Sequence, residues 1–279
     1  MDPASMVGLA HFLNIEIGID PVAFEFGPIT LQWYGLGYVV GLSLGIFFAL
    51  RYARERGLDP DAVWDILPWA LIAGFVGARF YFVIQDDFWG RLQEPSRLFA
   101  VWEGGMAFFG AVFAVIAVLL IFWRVRGYSL PLLLDVTAMF ALMAQPVGRI
   151  GNMINGDILG PQADLPWSFV YTHPDTLAPA LHTPYHPAAL YLFISNLILI
   201  AILYPLRNRL AVGWFVGAYL TAYAISQLII FQWRVEPEYW GLQQAQWTSL
   251  VVLAGVAIAA AVAWRRGHRP WPGGRAATA

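Results

Sequence analysis

The sequence predicts an all-α polytopic membrane protein with seven transmembrane helices, and three observations carry that prediction. The chain of 279 residues is 59% hydrophobic and only 12% charged, against roughly 25% charged in soluble domains. Its apolar runs approach or exceed the roughly 20 residues that cross a hydrocarbon core, and short polar breaks separate them. All 16 basic residues are arginine, and most of them gather at alternate ends of the runs.

The spans fall at about 29–50, 65–85, 102–123, 130–150, 187–206, 212–232 and 246–264. Arg51, Arg54 and Arg56 follow the first, Arg124 and Arg126 the third, and Arg207 and Arg209 the fifth. Arg265, Arg266, Arg269 and Arg275 follow the last. The positive-inside rule puts these ends in the cytoplasm, so the N-terminus is extracytoplasmic and the C-terminus cytoplasmic. Between spans four and five, residues 157–186 contain no arginine, are rich in proline and include Trp167, Tyr171 and Tyr185. This predicts a small ordered extracytoplasmic head. Residues 86–100 (DDFWGRLQEPSRLFA) read as a segment lying along the interface. No convincing internal repeat is present, so an inverted-repeat transporter is not favoured. The whole of 1–279 reads as a single transmembrane domain, with MDPASM before Met6 set aside as a vector-like remnant.

With 16 basic and 18 acidic residues the chain has no basic face, and nucleic acid is not an expected partner. The absence of cysteine excludes a thiol nucleophile, a disulfide framework and a thiolate metal site. Any thiol chemistry must therefore use a thiol from the substrate. His173 and His182 are a weak metal signal, and no metal or organic cofactor is expected.

Ionisable groups at membrane depth are costly and mark function by default. The fourth span ends in GRIGNMINGDILG at 148–160. Snorkelling would explain Arg149 alone, but it requires neither Asn152 and Asn155 nor their spacing. An arginine fork suits a phosphodiester because it gives two parallel hydrogen bonds. The glycines let backbone or a headgroup approach closely, and Asp157 can orient the asparagines or act as a base. Arg79, in GARFYFVI, suits either a lipid phosphate or a structural ion pair. Asp135 near the start of span four suits a helix N-terminus, and Tyr34 an aromatic belt. His186, before Pro187, suits a cap or a headgroup contact.

GRIGNMINGDILG resembles the signature of the prolipoprotein diacylglyceryl transferases, usually GRxGNFxNGExxG. Other pieces fall in that family's order: DPVAFEFGPITLQWYGLGYVVG at 20–41, GARFYFVI at 77–84, WEGGMAFFG at 102–110, LLLDVTAMF at 132–140, HPAALY at 186–191 and GAYLTAYAISQ at 217–227. The resemblance implies a multi-pass enzyme of the bacterial inner membrane. It implies transfer of the diacylglyceryl group of phosphatidylglycerol to the lipobox cysteine thiol of a preprolipoprotein, with release of glycerol phosphate. Its partners are that lipid, that cysteine and the bilayer. Arg149, Asn152, Asn155 and Gly160 fall on the family's headgroup-binding motif, with Arg79 as a further substrate contact. Asp157, replacing the usual glutamate, His186 and Tyr34 are the catalytic candidates.

Several positions depart from the family's pattern. Phe109 stands where the family has a histidine, Gln227 where it has an arginine, and Phe231 where it has a glutamate. Ala189 and Leu192 replace a glutamine and a glutamate, while Tyr223 and Arg234 are retained. Two other readings stay open at this level. One is a phospholipid-binding relative whose transfer is impaired or repurposed. The other is a transporter, against which the clustering of polar groups near one face counts.

Overall fold

The computed structural model describes residues 14–27, 29–86 and 105–271. The expected interfacial segment at 86–100 lies outside the described residues apart from Asp86. Seven helices are long and apolar enough to cross a membrane. They are α1 (Trp33–Glu55), α2 (Pro60–Asp86), α3 (Phe108–Arg126), α4 (Leu130–Asn155), α5 (Ala188–Leu206), α6 (Trp214–Ile230) and α7 (Gln244–Arg265). Each expected span is found. The first begins later than its hydropathy suggests, because residues 29–32 form a strand.

Short strands stand outside the spans: β1 (Ile15–Ile17), β2 (Val22–Phe26), β3 (Ile29–Gln32), β4 (Phe169–Tyr171), β5 (Pro184–Tyr185), β6 (Glu238–Tyr239) and β7 (Leu242–Gln243). Runs of two to five residues are too short for a readable alternation, which is why the sequence pattern gives only helices. Strands β2 and β3 form a hairpin whose turn includes Gly27 at φ 59°. The hairpin delivers the chain directly into α1.

By contacts along the chain the molecule divides into two compact units, 1–48 with 137–279, and 49–136. In the second unit, α2 and α3 approach until their glycines face each other. A Cβ on Gly77 would lie 2.6 Å from the Gly110 carbonyl oxygen, and one on Gly110 would collide with the Gly77 carbonyl. Small residues allow this approach where lipid offers no hydrophobic drive to pack helices. Ile66, Val118, Leu119 and Leu133 form the core of this unit. Arg79 is buried in it, donating to the Gly105 carbonyl at 3.1 Å with its guanidinium over the Phe82 ring.

In the first unit, α1 packs on α4 through Gly41 and Gly45. A Cβ at Gly41 would lie 3.0 Å from the Ala144 carbonyl oxygen, and one at Gly45 would meet the Phe140 ring at 2.6 Å. Half of the apolar stretch of α4 is buried, more than in any other of the seven helices. Residues 157–186 join α4 to α5. Within them β4 pairs antiparallel with β5, and β1 joins the other edge of β4 in parallel, Ile15 opposite Phe169 and Ile17 opposite Tyr171. Helix α7 begins with a reciprocal cap in which the Gln243 amide donates to Gln246 Oε1 at 3.0 Å. The Gln243 side chain in turn donates to the Arg234 carbonyl at 2.8 Å, which fixes the backbone that follows α6.

Candidate active site

The C-terminal turns of α4 place Arg149 and Asn152 on one face, three residues apart. Arg149 Nη1 donates to Asn152 Oδ1 at 3.2 Å. The helix then stops at Gly156, whose φ of 76° is the left-handed conformation that glycine adopts at least cost. This reversal brings Asp157 back over the last turn, where Asn152 Nδ2 donates to both of its carboxylate oxygens, at 3.1 and 3.0 Å. A single amide therefore links a guanidinium to a carboxylate.

A second guanidinium joins the group. Arg234, just beyond the short 3-10 turn Phe231–Trp233, is near enough for its charge to act on Asp157 and for Arg149 to act on it. It pairs with Glu236 and lies over the Phe231 ring at 4.8 Å. Burial lowers its pKa from the usual arginine value, and the Arg149 charge adds to that effect. The Nε atoms of Arg149 and Arg234 are both buried without an acceptor among the described residues. Among the described residues, Arg149 forms no ion pair with a carboxylate. Buried donors left unpaired cost about 1–3 kcal/mol each, more when charged, so the pair suits an anion that supplies acceptors.

Asp157 keeps an exposed edge, yet the protein packed around its carboxyl raises its pKa above the usual carboxylate value. The hydrogen bonds from Asn152 and the charges of Arg149 and Arg234 oppose that rise without cancelling it. Tyr34 reaches the group from the start of α1. Its hydroxyl shares a hydrogen bond with Tyr38 at 2.7 Å and interacts with the Asn152 side chain. Gly151 makes room for it, since a Cβ there would lie 3.0 Å from the Tyr34 ring.

The segment after α4 caps the site. The Tyr171 hydroxyl donates to the Met153 carbonyl at 2.6 Å, while Thr176 Oγ1 and the Leu177 amide donate to the Asn155 carbonyl at 3.1 and 2.9 Å. Asn155 thus holds this segment through its backbone. Burial, with the Asp157 charge as a lesser cause, pushes the Tyr171 hydroxyl pKa upward. Gly160 lies where the chain passes under the Trp233 backbone, and a Cβ there would collide with the Trp233 carbonyl. Its amide donates to the His186 carbonyl at 2.9 Å.

The residues expected from the sequence thus divide into groups. Arg149, Asn152, Asp157 and Tyr34 form one connected cluster, and Gly160 and Asn155 fix the backbone around it. His186 faces elsewhere: its Nδ1 shares a hydrogen bond with the Tyr191 hydroxyl at 3.1 Å, and that hydroxyl accepts from Trp167 Nε1 at 2.9 Å. Arg79 belongs to the other compact unit. Arg234 was legible only as a retained arginine after the sixth span. Tyr38 and Tyr171 carried no signal apart from the general frequency of aromatics. Where the family pattern has polar groups, Gln227, Phe231, Ala189 and Leu192 are all buried. Phe231 supports Arg234 with a ring face in place of a carboxylate.

A family model described as prolipoprotein diacylglyceryl transferase matches residues 21–262. Three similar relatives are each named phosphatidylglycerol--prolipoprotein diacylglyceryl transferase. The protein from Methylococcus capsulatus is 32% identical over 263 residues, covering 89% of this chain and 97% of the relative. The one from Rhodospirillum centenum is 35% identical, covering 76% of this chain and 78% of the relative. The one from Methylibium petroleiphilum is 34% identical, covering 86% and 94%. With a match across nearly the whole chain, and the arginine–asparagine–aspartate cluster lying within it, this chain belongs to the prolipoprotein diacylglyceryl transferase family.

Proposed function

We propose that this protein transfers the diacylglyceryl group of phosphatidylglycerol to the cysteine thiol of a preprolipoprotein lipobox, in a bacterial inner membrane. We read the chain as one membrane domain with an extracytoplasmic N-terminus, a cytoplasmic C-terminus, and residues 157–186 as the extracytoplasmic head beside the site. The observation that carries the reading is the pair of arginines, Arg149 and Arg234, whose buried Nε atoms have no acceptor among the described residues.

In this reading the lipid phosphate supplies those acceptors, and Asn152 holds Arg149 in the orientation that receives it. The thiolate of the peptide attacks the glycerol carbon that bears the phosphate oxygen. A C–S bond forms as the C–O bond breaks, and its electron pair leaves on glycerol phosphate. The two guanidiniums stabilise the charge that gathers on the leaving phosphate. The thiol proton goes to Asp157, whose raised pKa brings it nearer to working pH than an ordinary carboxylate. Tyr34 orders Asn152, while His186 acts through the Tyr191–Trp167 chain by holding the backbone beside Gly160. Phe109 cannot transfer a proton, so a base on the α4 side is needed.

The test is transfer itself, with purified protein, phosphatidylglycerol and a lipobox peptide, the thioether followed by mass. Product that depends on Arg149 supports the reading. Lipid bound through Arg149 without any product would overturn it in favour of a phospholipid-binding relative.

A further inference from the structure

The parallel pairing of β1 with β4 has an effect beyond the strands. Ile17 lies opposite Tyr171, and the Thr172 amide donates to the Ile17 carbonyl at 3.1 Å. The two chains therefore leave the sheet side by side. Gly18 leaves room for the Thr172 hydroxyl, which would lie 2.8 Å from a Cβ at that position. Just beyond the strands, Asp20 from one segment meets His173 and Asp175 from the other. Each of the three offers one ligand atom, and these atoms lie within 4.8 Å of one another.

The details suit a cation. Asp20 Oδ1 is engaged by the Val22 amide at 2.8 Å, and Oδ2 faces His173 Nε2 at 3.9 Å. Asp175 Oδ2 lies 3.9 Å from His173 Nδ1. Separations of 3.9 Å are too long for hydrogen bonds, which fall at about 2.7–3.2 Å. The Asp20 contact is to Nε2 and the Asp175 contact to Nδ1, and one ion takes only one of these nitrogens; the three ligand atoms, within 4.8 Å of one another, would close to about 2.0–2.2 Å from it. The imidazole is three-quarters covered, with 24% of its side chain exposed, while Asp20 and Asp175 keep 54% and 70% exposed. Remaining positions on an ion would thus be open to water.

We propose that Asp20, His173 and Asp175 bind a divalent transition-metal cation, with Zn2+ the ion best suited to one imidazole and two carboxylates. The ion ties the segment that leads into the β2–β3 hairpin to the loop that caps α4. That loop holds the Met153 and Asn155 carbonyls through Tyr171, Thr176 and Leu177. Bound metal therefore stiffens the end of the helix that carries Arg149 and Asn152. The sequence paired His173 with His182 as a weak signal and led to no expected metal. The fold gathers Asp20 and Asp175 with His173, and His182 is not one of that group.

The experiment uses the full chain in detergent, stripped with chelator and titrated with ZnCl2 by calorimetry, with thermal unfolding measured in parallel. One Zn2+ per chain is expected, with a rise in Tm. Binding should weaken about tenfold or more in Asp20→Asn, His173→Gln and Asp175→Asn, and stay unchanged in His182→Gln. Because Asp20 and Asp175 are exposed, their variants keep the test valid if His173→Gln fails to fold. No saturable binding, or binding that Asp20→Asn and Asp175→Asn leave intact, would overturn the proposal. Binding is read without turnover, so its failure and a failure of the transferase reading are separate results.

Discussion

Replacement of Arg149 by alanine is the sharpest perturbation of the site. In the native structure one guanidinium nitrogen donates to Asn152 Oδ1 at 3.2 Å, while Nε is buried without an acceptor among the described residues. A bound phosphate gains the remaining donors as charge-assisted hydrogen bonds, each worth about 1.5–3 kcal/mol. Two of these lost together remove about 3–6 kcal/mol of transition-state binding. At about 1.4 kcal/mol per decade, kcat/KM should fall by about 10²- to 10⁴-fold. Lysine at the same position keeps the charge but loses the fork, so Arg149→Lys should retain part of this and fall by about 10- to 100-fold. Asn152 stays tied to Asp157 by two hydrogen bonds in either variant, so the end of α4 should remain folded. The assay is thioether formation on a lipobox peptide at limiting phosphatidylglycerol, with thermal unfolding as the control. A folded Arg149→Ala protein within a few-fold of native activity would refute the phosphate clamp.

Three further outcomes follow from the same geometry. Asp157→Asn should abolish most transfer while leaving Tm at neutral pH unchanged or higher. The raised Asp157 pKa means that folding favours its protonated form, a contribution complete below the unfolded value of 3.8 and lost as pH rises through the folded value. A fall in Tm at pH 7 would contradict this. Gly160→Ala should cost about 1–3 kcal/mol of stability as well as activity, because the new methyl meets the Trp233 carbonyl and comes within 2.7 Å of the His186 Cβ; a native melting curve would show that the two segments separate easily. His186→Gln should flatten the acid side of the stability profile. Burial lowers the His186 pKa below its usual 6.5, so the stability of its neutral form is complete above that pH and lost as pH falls through the folded value. An unchanged profile between native and variant would remove His186 as the group responsible.

Much of the fold was readable because its signals are local. A run of about 20 apolar residues specifies a span by length alone, and all seven appear close to where hydropathy puts them. The GRIGNMINGDILG string was readable for a similar reason: Arg149 and Asn152 share a helix face, and Gly156 ends the helix within the same string. His186 shows where that local view fails. Its place before Pro187 suggested a cap or a headgroup contact, but Tyr191, five residues on, takes its imidazole instead. Arg234 shows the converse. It reads as an ordinary arginine after an apolar span until the fold brings its charge beside Arg149 and Asp157.

The sequence by itself determined that this chain has seven helices long and apolar enough to cross a membrane and that its polar motif lies at one end of the fourth. Hydropathy and helix period act over a few turns and need no distant partner. Only the tertiary structure decided which charges meet. The β1–β4 pair joins residues about 150 positions apart, and Asp20 faces His173 only because of that register. Likewise, Arg234 reaches the α4 cluster only after two more helices have folded back. Electrostatic and ligand geometry depend on distances of a few ångströms, and distant segments acquire those distances only through packing.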